Sequence, residues 1–284
     1  MLITGFGVLV MTPDGLLVRL VDADEWTLLF WRGLLSGIGM AIGLTLIYRG
    51  KTWALIRKIG WAGLITGIIF GIGTCAFIMG ITHTSVANTL FIVSTSPLFA
   101  AVFAWLVLRE PVALRTWLAI AITILGIGVI VSGGLDWGSM IGNLAALAAA
   151  MTLAVNLCTM RHYQNRNMVP AMGIGGFVAA LIALPLAAPL SVSQGDVGVL
   201  ALMGLVMVPL SFGLLFVGPR YLPAPEVGLM MLLEAVLGPF WVWWALGENP
   251  GTAAIVGGAI VLAALAMNAW LALREERRQT RPSP

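Results

Sequence analysis

Residues 84–108 read TSVANTLFIVSTSPLFAAVFAWLVL, followed by Arg109-Glu110-Pro111. Those 25 residues contain no charged side chain. A helix needs about 20 apolar residues to cross the hydrocarbon core of a bilayer, so the stretch reads as a membrane span. The same reading repeats outward from it. Residues 59–82, 116–135, 137–160, 167–195, 197–219 and 249–273 are equally free of Asp, Glu, Lys and Arg. Residues 1–18 hold only Asp14, 26–48 only Arg32, and 221–247 only Glu226 and Glu234. Charged residues are 10% of the 284, and they fence off ten apolar stretches. A soluble surface needs charges far more often than this. Porin strands are excluded as well, since they need only about 9–11 residues that alternate polar with apolar. The expectation is an all-α membrane protein of ten transmembrane helices with short connections and no soluble domain.

The basic residues set the expected orientation, because cytoplasmic connections are enriched in Lys and Arg. Numbering the connections in order, the even set and the C-terminus hold Arg49, Lys51, Arg57, Lys58, Arg109, Arg115, Arg161, Arg166, Arg220, Arg274, Arg277, Arg278 and Arg281; the odd set holds Arg19. The odd connections are otherwise acidic or neutral, with Asp22, Asp24, Glu25, Asp136, Asp196 and Glu248. Both termini are therefore expected in the cytoplasm. The net charge of +3 sits at span ends and gives no reason to expect nucleic-acid binding. The first stretch has no basic n-region and contains Pro13-Asp14-Gly15, so it reads as a span, not a signal peptide. Cys75 and Cys158 lack metal-ligand spacing and read as small core residues.

The opening stretch recurs. Gly80 to Glu110 and Gly218 to Glu248 share an offset of 138 residues, which also places Trp105 on Trp243, Gly71 on Pro209 and Asp14 on Thr152. Each copy exits through a Glu closely followed by proline, Glu110-Pro111 and Glu248-Asn249-Pro250. That offset spans five helices, and an odd number reverses orientation. The pattern is a 5+5 inverted-topology repeat, an arrangement of secondary transporters whose substrate sits near the midplane between the halves. The repeats are expected at 1–136 and 137–273, with a basic cytoplasmic tail at 274–284.

Four passages carry a family resemblance: Asp14-Gly15-Leu16-Leu17-Val18-Arg19, Trp26-Thr27-Leu28-Leu29-Phe30-Trp31-Arg32-Gly33, Ser94-Thr95-Ser96-Pro97-Leu98-Phe99-Ala100-Ala101 running to Leu108-Arg109-Glu110, and Leu232-Leu233-Glu234 running to Leu246-Gly247-Glu248. With them the chain resembles the drug/metabolite transporter superfamily, specifically its ten-helix EamA-type permeases. One departure is visible. The family often has proline directly after the mid-helix Glu of span 9; here Ala235 stands there and Pro239 follows four residues on, so any kink is expected about one turn later. The resemblance implies export of small metabolites such as amino acids across a bacterial inner membrane, without ATP. The absence of a GxxxxGK[ST] loop agrees with the last point.

Polar groups in hydrocarbon need a partner, a wet cavity or a function. Glu234 stands near the middle of span 9 among Met230, Met231, Leu232 and Leu233. It is a candidate for proton coupling or for binding a substrate ammonium; the alternative is a neutral carboxyl that hydrogen-bonds to a neighbouring helix. Glu226, Met230, Glu234 and Trp241 share one helical face. Span 4 has a stripe of Ser85, Asn88 and Thr95, and span 6 one of Thr152, Asn156, Thr159 and Tyr163. These stripes fit a polar cavity between the halves, with Asn88, Thr95, Thr152, Asn156, Thr159, Tyr163, Met230, Glu234 and Trp241 as its candidate residues. Asp14 and Arg32 lie at similar depths on spans 1 and 2 and are expected to pair, either for structure or with Arg32 free to hold a substrate carboxylate. His83, between spans 3 and 4, is a surface residue or a gate. Gly33/Gly37, Gly39/Gly43 and Gly63/Gly67/Gly71 read as GxxxG contacts.

The reading that results is a secondary transporter working by alternating access, with a small-molecule substrate, the bilayer as its surroundings and a monomeric or weakly dimeric state. Two alternatives stay open: a multidrug or cation exporter with proton exchange at Glu234, and an ion-independent facilitator. No cluster with metal spacing and no Ser–His arrangement is readable, so neither a cofactor, a metal nor an enzymatic activity is expected.

Overall fold

Hydrocarbon offers the backbone no partner, so each apolar stretch must close its hydrogen bonds within itself. The computed structural model describes residues 2–49, 52–109, 112–133, 137–163, 166–215 and 224–279, and among them no strand occurs. The helices are α1 (Leu2–Met11), α2 (Asp14–Leu20), α3 (Glu25–Tyr48), α4 (Thr52–His83), α5 (Val86–Val93), α6 (Ser96–Leu108), α7 (Leu114–Ser132), α8 (Trp137–His162), α9 (Val169–Ala183), α10 (Gln194–Ala201), α11 (Val208–Leu215), α12 (Ala224–Leu246) and α13 (Gly251–Gln279). Seven helical segments in the described residues are long and apolar enough to cross a membrane: Glu25–Tyr48, Trp53–His83, Val86–Leu106, Leu114–Ser132, Gly138–Met160, Gln194–Leu215 and Gly251–Glu275. Val169–Ala183 and Met231–Leu246 are shorter apolar helices.

Two stretches that read as single helices are broken. Span 1 stops at Met11 and restarts at Asp14, because Pro13 has no N–H to continue the ladder. Span 4 stops at Val93 and restarts at Ser96, with Pro97 in the first turn of α6. Ser94 and Thr95 at that break turn their hydroxyls onto the carbonyls of Phe91 (2.7 Å) and Ile92 (2.6 Å). By contrast α12 runs through Pro239 as one helix, so the shifted proline produces no break; neighbouring helices in a bilayer let a span accommodate it. In the eighth stretch, a π-helical turn at Leu202–Met207 links α10 to α11. Pro209 cannot donate to the carbonyl of Leu205, four residues back, and the ladder slips just before it.

Small residues decide which helices touch. The face of α9 is split between two partners. A Cβ on Gly176 would lie 2.7 Å from the Gly37 nitrogen and 2.8 Å from the Gly33 carbonyl oxygen, so α9 meets α3 backbone to backbone. Gly175 faces α4 in the same way, 2.8 Å from the Gly67 oxygen. A third contact joins α7 to α13 through Gly126 and Gly257. Gly39 lies against the carbonyl of Leu205 in the π turn, whereas Gly43 faces open space and Gly63 faces Ile59 of its own helix. The expected GxxxG contacts thus hold for Gly33/Gly37 and Gly67/Gly71 but not for the other two. Around this frame α8 packs on α4 and α6, α1 on α11 and α12, and α12 on α5 and α13. Leu46, Ile47, Trp61, Leu125, Leu181 and Trp244 are exposed on the outside, as lipid-facing residues should be.

Candidate functional site

The packing leaves a cavity of about 80 Å³ between helices, room for several waters. Met11 of α1, Arg32 of α3, Phe70, Gly73, Thr74 and Phe77 of α4, Val93 of α5, Ala149, Thr152, Leu153 and Asn156 of α8, Phe212 and Leu215 of α11, and Met231 and Glu234 of α12 line it. Of the residues singled out from sequence, Arg32, Thr152, Asn156 and Glu234 therefore come together. They do so because Thr152 and Asn156 are four apart on α8, and because Gly73 lets α8 approach α4: a Cβ there would collide with the Thr152 hydroxyl.

The expected pair forms at the edge of the cavity. Arg32 Nη2 donates to Asp14 Oδ2 at 2.7 Å, and the two side chains are only 3% and 2% exposed. A guanidinium and a carboxylate withdrawn from water must neutralise each other in this way. The Arg32 guanidinium also lies 5.8 Å from the centre of the Phe77 ring, within cation–π range. Glu234 is within electrostatic reach of both Asp14 and Arg32, yet it takes part in no hydrogen bond or ion pair among the described residues.

The other candidates lie elsewhere. Asn88 sits in the first turn of α5, where its Nδ2 donates to Thr84 Oγ1 at 3.1 Å, and Thr95 falls in the break that ends the register of its stripe. Thr159, one turn past Asn156, bonds to the Val155 carbonyl at 2.8 Å. Tyr163 packs beyond it against an apolar cluster that includes Met160 and Met168, under the Arg166 guanidinium. Trp241 donates to Thr12 Oγ1 at 3.1 Å and so ties α12 to the break in span 1. The side chains of Met230 and Glu226 lie outside the described residues. His83 Nδ1 pairs with Glu25 Oε2 at 3.3 Å, and the Thr82 hydroxyl donates to the same carboxylate at 2.9 Å.

Sequence reasoning missed two features. The first is the aromatic wall of Phe70, Phe77 and Phe212, with Phe70 and Phe212 edge to face at 5.0 Å. Phe70, Thr74 and Phe77 follow a helical 4, 3 spacing that could have signalled it. The second is a tie at the bundle end that holds residues 19–25 and 83–86. Arg19 Nη2 donates to the Thr84 carbonyl at 2.8 Å, and Arg19 Nε lies 3.2 Å from Glu248 Oε2. Glu248 Oε1 in turn accepts from the Val86 N–H at 3.3 Å. Residues 229 positions apart meet here, and no local pattern announces that.

Comparison with known proteins follows the same line. The model of the EamA-like transporter family matches twice in succession, over residues 7–132 and 140–270. A pseudopaline exporter, CntI, of Pseudomonas aeruginosa is 24% identical over 241 residues, covering 79% of this chain and 81% of the relative. A transporter of uncharacterised activity from Methanothermobacter thermautotrophicus is 23% identical over 239 residues, covering 78% and 68%. A solved crystal structure superposes with a TM-score of 0.71 over 96% of this chain and 98% of the other, at 19% identity, which speaks to the fold alone. With both family matches spanning most of its length and apolar helices crossing the bilayer repeatedly, the chain is a multi-pass membrane protein of the EamA-like transporter family.

Proposed function

We propose that the chain is a secondary transporter that exports small metabolites across the inner membrane by alternating access, through the cavity around Glu234. The observation that carries this reading is a largely apolar cavity between helices that nonetheless presents Arg32, Thr152, Asn156 and Glu234, and that is lined by residues from both of the stretches that match the family. Amino acids are the cargo the family resemblance implies, and the name of the Pseudomonas relative describes an exporter. Ten spans in a 5+5 inverted arrangement with both termini cytoplasmic, the repeats at 1–136 and 137–273, account for the two tandem family matches. They also account for the helix pairing, in which α4 on α8 is mirrored by α11 on α1, and α4 on α9 by α11 on α3. Alternating access gains support from the Arg19–Glu248 tie, which joins the first half to the second at one end of the bundle.

A second reading, proton exchange at Glu234, is favoured by one feature: the carboxyl faces the cavity without a partner among the described residues. Reconstituted protein offered a panel of metabolites, with and without a pH gradient, tests both. Export requires flux that exceeds that of empty vesicles. If protons are exchanged, Glu234→Gln should abolish pH-driven flux and leave downhill flux measurable, because Gln keeps the shape but cannot titrate. Unchanged pH dependence in that variant removes Glu234 from coupling and leaves a facilitator.

A further inference from the structure

The polar atoms of the cavity are sorted by kind. Thr74 and Thr152 direct their hydroxyl protons to the carbonyls of Phe70 (3.0 Å) and Ala149 (2.9 Å). What each hydroxyl has left is acceptor capacity. Asn156 donates one Nδ2 hydrogen to the Thr152 carbonyl at 3.0 Å, and the residue is only 1% exposed, with its Oδ1 enclosed and without a partner. Glu234 adds two more oxygens. Arg32, the one cation on the wall among the described residues, is already balanced by Asp14 at 2.7 Å. The guanidinium and the carboxylate carry opposite unit charges, so the pair is neutral as a unit, although Arg32 Nε and Asp14 Oδ1 are both left without a hydrogen bond. Among the described residues the net charge facing the cavity is therefore that of Glu234, which is zero or negative and never positive.

From this sorting we infer that the cavity takes an organic ammonium ion without a free carboxylate. The ammonium faces Glu234 and the threonine oxygens, and its apolar body lies against Phe70 and Phe212. The inference rests on the transport reading of this cavity and narrows its cargo from amino acids in general to amines. An ammonium brings up to three donors to the Glu234 carboxylate and the threonine oxygens, and aromatic faces attract a desolvated cation. A substrate carboxylate meets the opposite situation. Asp14 already balances the charge of Arg32, so a second carboxylate at the guanidinium would leave one negative charge in the cavity uncompensated. The zwitterion of an amino acid gains at one end and loses at the other.

Three probes that share a phenyl body separate these cases: 2-phenylethylamine, phenylalanine and 3-phenylpropionate. Each is measured with the full-length protein in two ways, by thermal stabilisation in detergent and by flux in proteoliposomes. The expected order of binding is amine, then zwitterion, then acid, with the amine at least about tenfold tighter than phenylalanine. Glu234→Gln should remove most of that preference, and Glu234→Asp, which restores the charge, should return it. Thr152→Val, which removes a hydroxyl acceptor at nearly unchanged volume, is a second variant and should weaken the amine alone. Equal or tighter binding of phenylalanine or 3-phenylpropionate overturns the inference, as does an amine preference that survives Glu234→Gln. Preferred flux of either carboxylate leaves the transport reading standing without it. An amine that binds in the expected order but never crosses the bilayer supports the site and defeats transport.

Discussion

Span 4 and span 9 carry the same passage 138 residues apart, yet the first is two helices and the second is one. Ser96 occupies the position of Glu234, and Pro97 that of Ala235. In span 4 the proline cannot donate to Val93, and the hydroxyl-rich Ser94-Thr95 pair supplies carbonyls with substitute donors; a new helix begins. In span 9 Ala235 keeps its N–H, and the helix continues past Glu234. Spans 1 and 6 repeat the contrast, since α1 and α2 are parted at Pro13 while α8 runs unbroken under Thr152 and Asn156. Among the described residues these two proline breaks thus fall before residue 137, and Thr152, Asn156 and Glu234 reach the cavity from continuous helices. A continuous helix holds a side chain at fixed depth and direction, which suits a binding surface. A broken one can bend at a few residues, which suits a moving wall.

The strongest way to break this contrast is to unseat the pair at the start of α2. Asp14→Asn leaves the Arg32 charge buried and uncompensated, and should cost about 3–5 kcal/mol, seen as a large fall in melting temperature in detergent. The double change Asp14→Asn with Arg32→Met should recover much of that loss; a double variant no more stable than the single one would mean that the pair is not what holds span 1 to span 2.

Making span 9 resemble span 4 comes next. Ala235→Pro removes the N–H that bonds to Met231 and should bend α12 at Glu234, with a loss of up to about 3 kcal/mol. Its more telling consequence is functional: binding at the cavity should weaken even though no lining side chain is altered. The reverse change, Pro97→Ala, should be far milder, within about 1 kcal/mol, because a proline in the first turn of a helix lacks only an N–H that would be unpaired anyway. Spin labels flanking residues 94–95 would show whether span 4 then straightens. If Ala235→Pro proves as silent as Pro97→Ala, the continuity of α12 has no bearing on the site.

The smallest expected effect sharpens the link between the two kinds of helix. Trp241→Phe keeps most of the ring volume but removes the hydrogen bond to Thr12 at the span 1 break. It should cost about 1 kcal/mol and leave α12 intact. Thr12→Val should cost the same, and the double variant should melt no lower than either single one if the two residues share one contact.

Much of this protein was legible before any coordinates. Charge spacing alone yields spans, because an ionised side chain in hydrocarbon is so costly that its absence over 20-odd residues carries a physical meaning. The Asp14–Arg32 pair follows from the same cost, since two opposite charges at equal depth on consecutive spans have little alternative to each other. Thr152, Asn156 and Glu234 were readable as polar residues on helical faces, and the geometry brings them to one cavity. Periodicity could not find the breaks. Pro13 and Pro97 interrupt the backbone while the apolar pattern runs on, so Asn88 and Thr95 were grouped with a cavity they do not reach. Nor could it find the Arg19–Glu248 tie or the Phe70–Phe212 contact, whose partners are remote in sequence and meet only when the glycine faces of α3, α4 and α9 close on one another. The sequence by itself determined that the chain enters the membrane repeatedly and which polar groups its apolar segments carry, because transfer free energy depends on composition. Only the tertiary structure decided which of those polar groups share a space and which have their donors committed, because that depends on how helices pack at distances of a few ångströms.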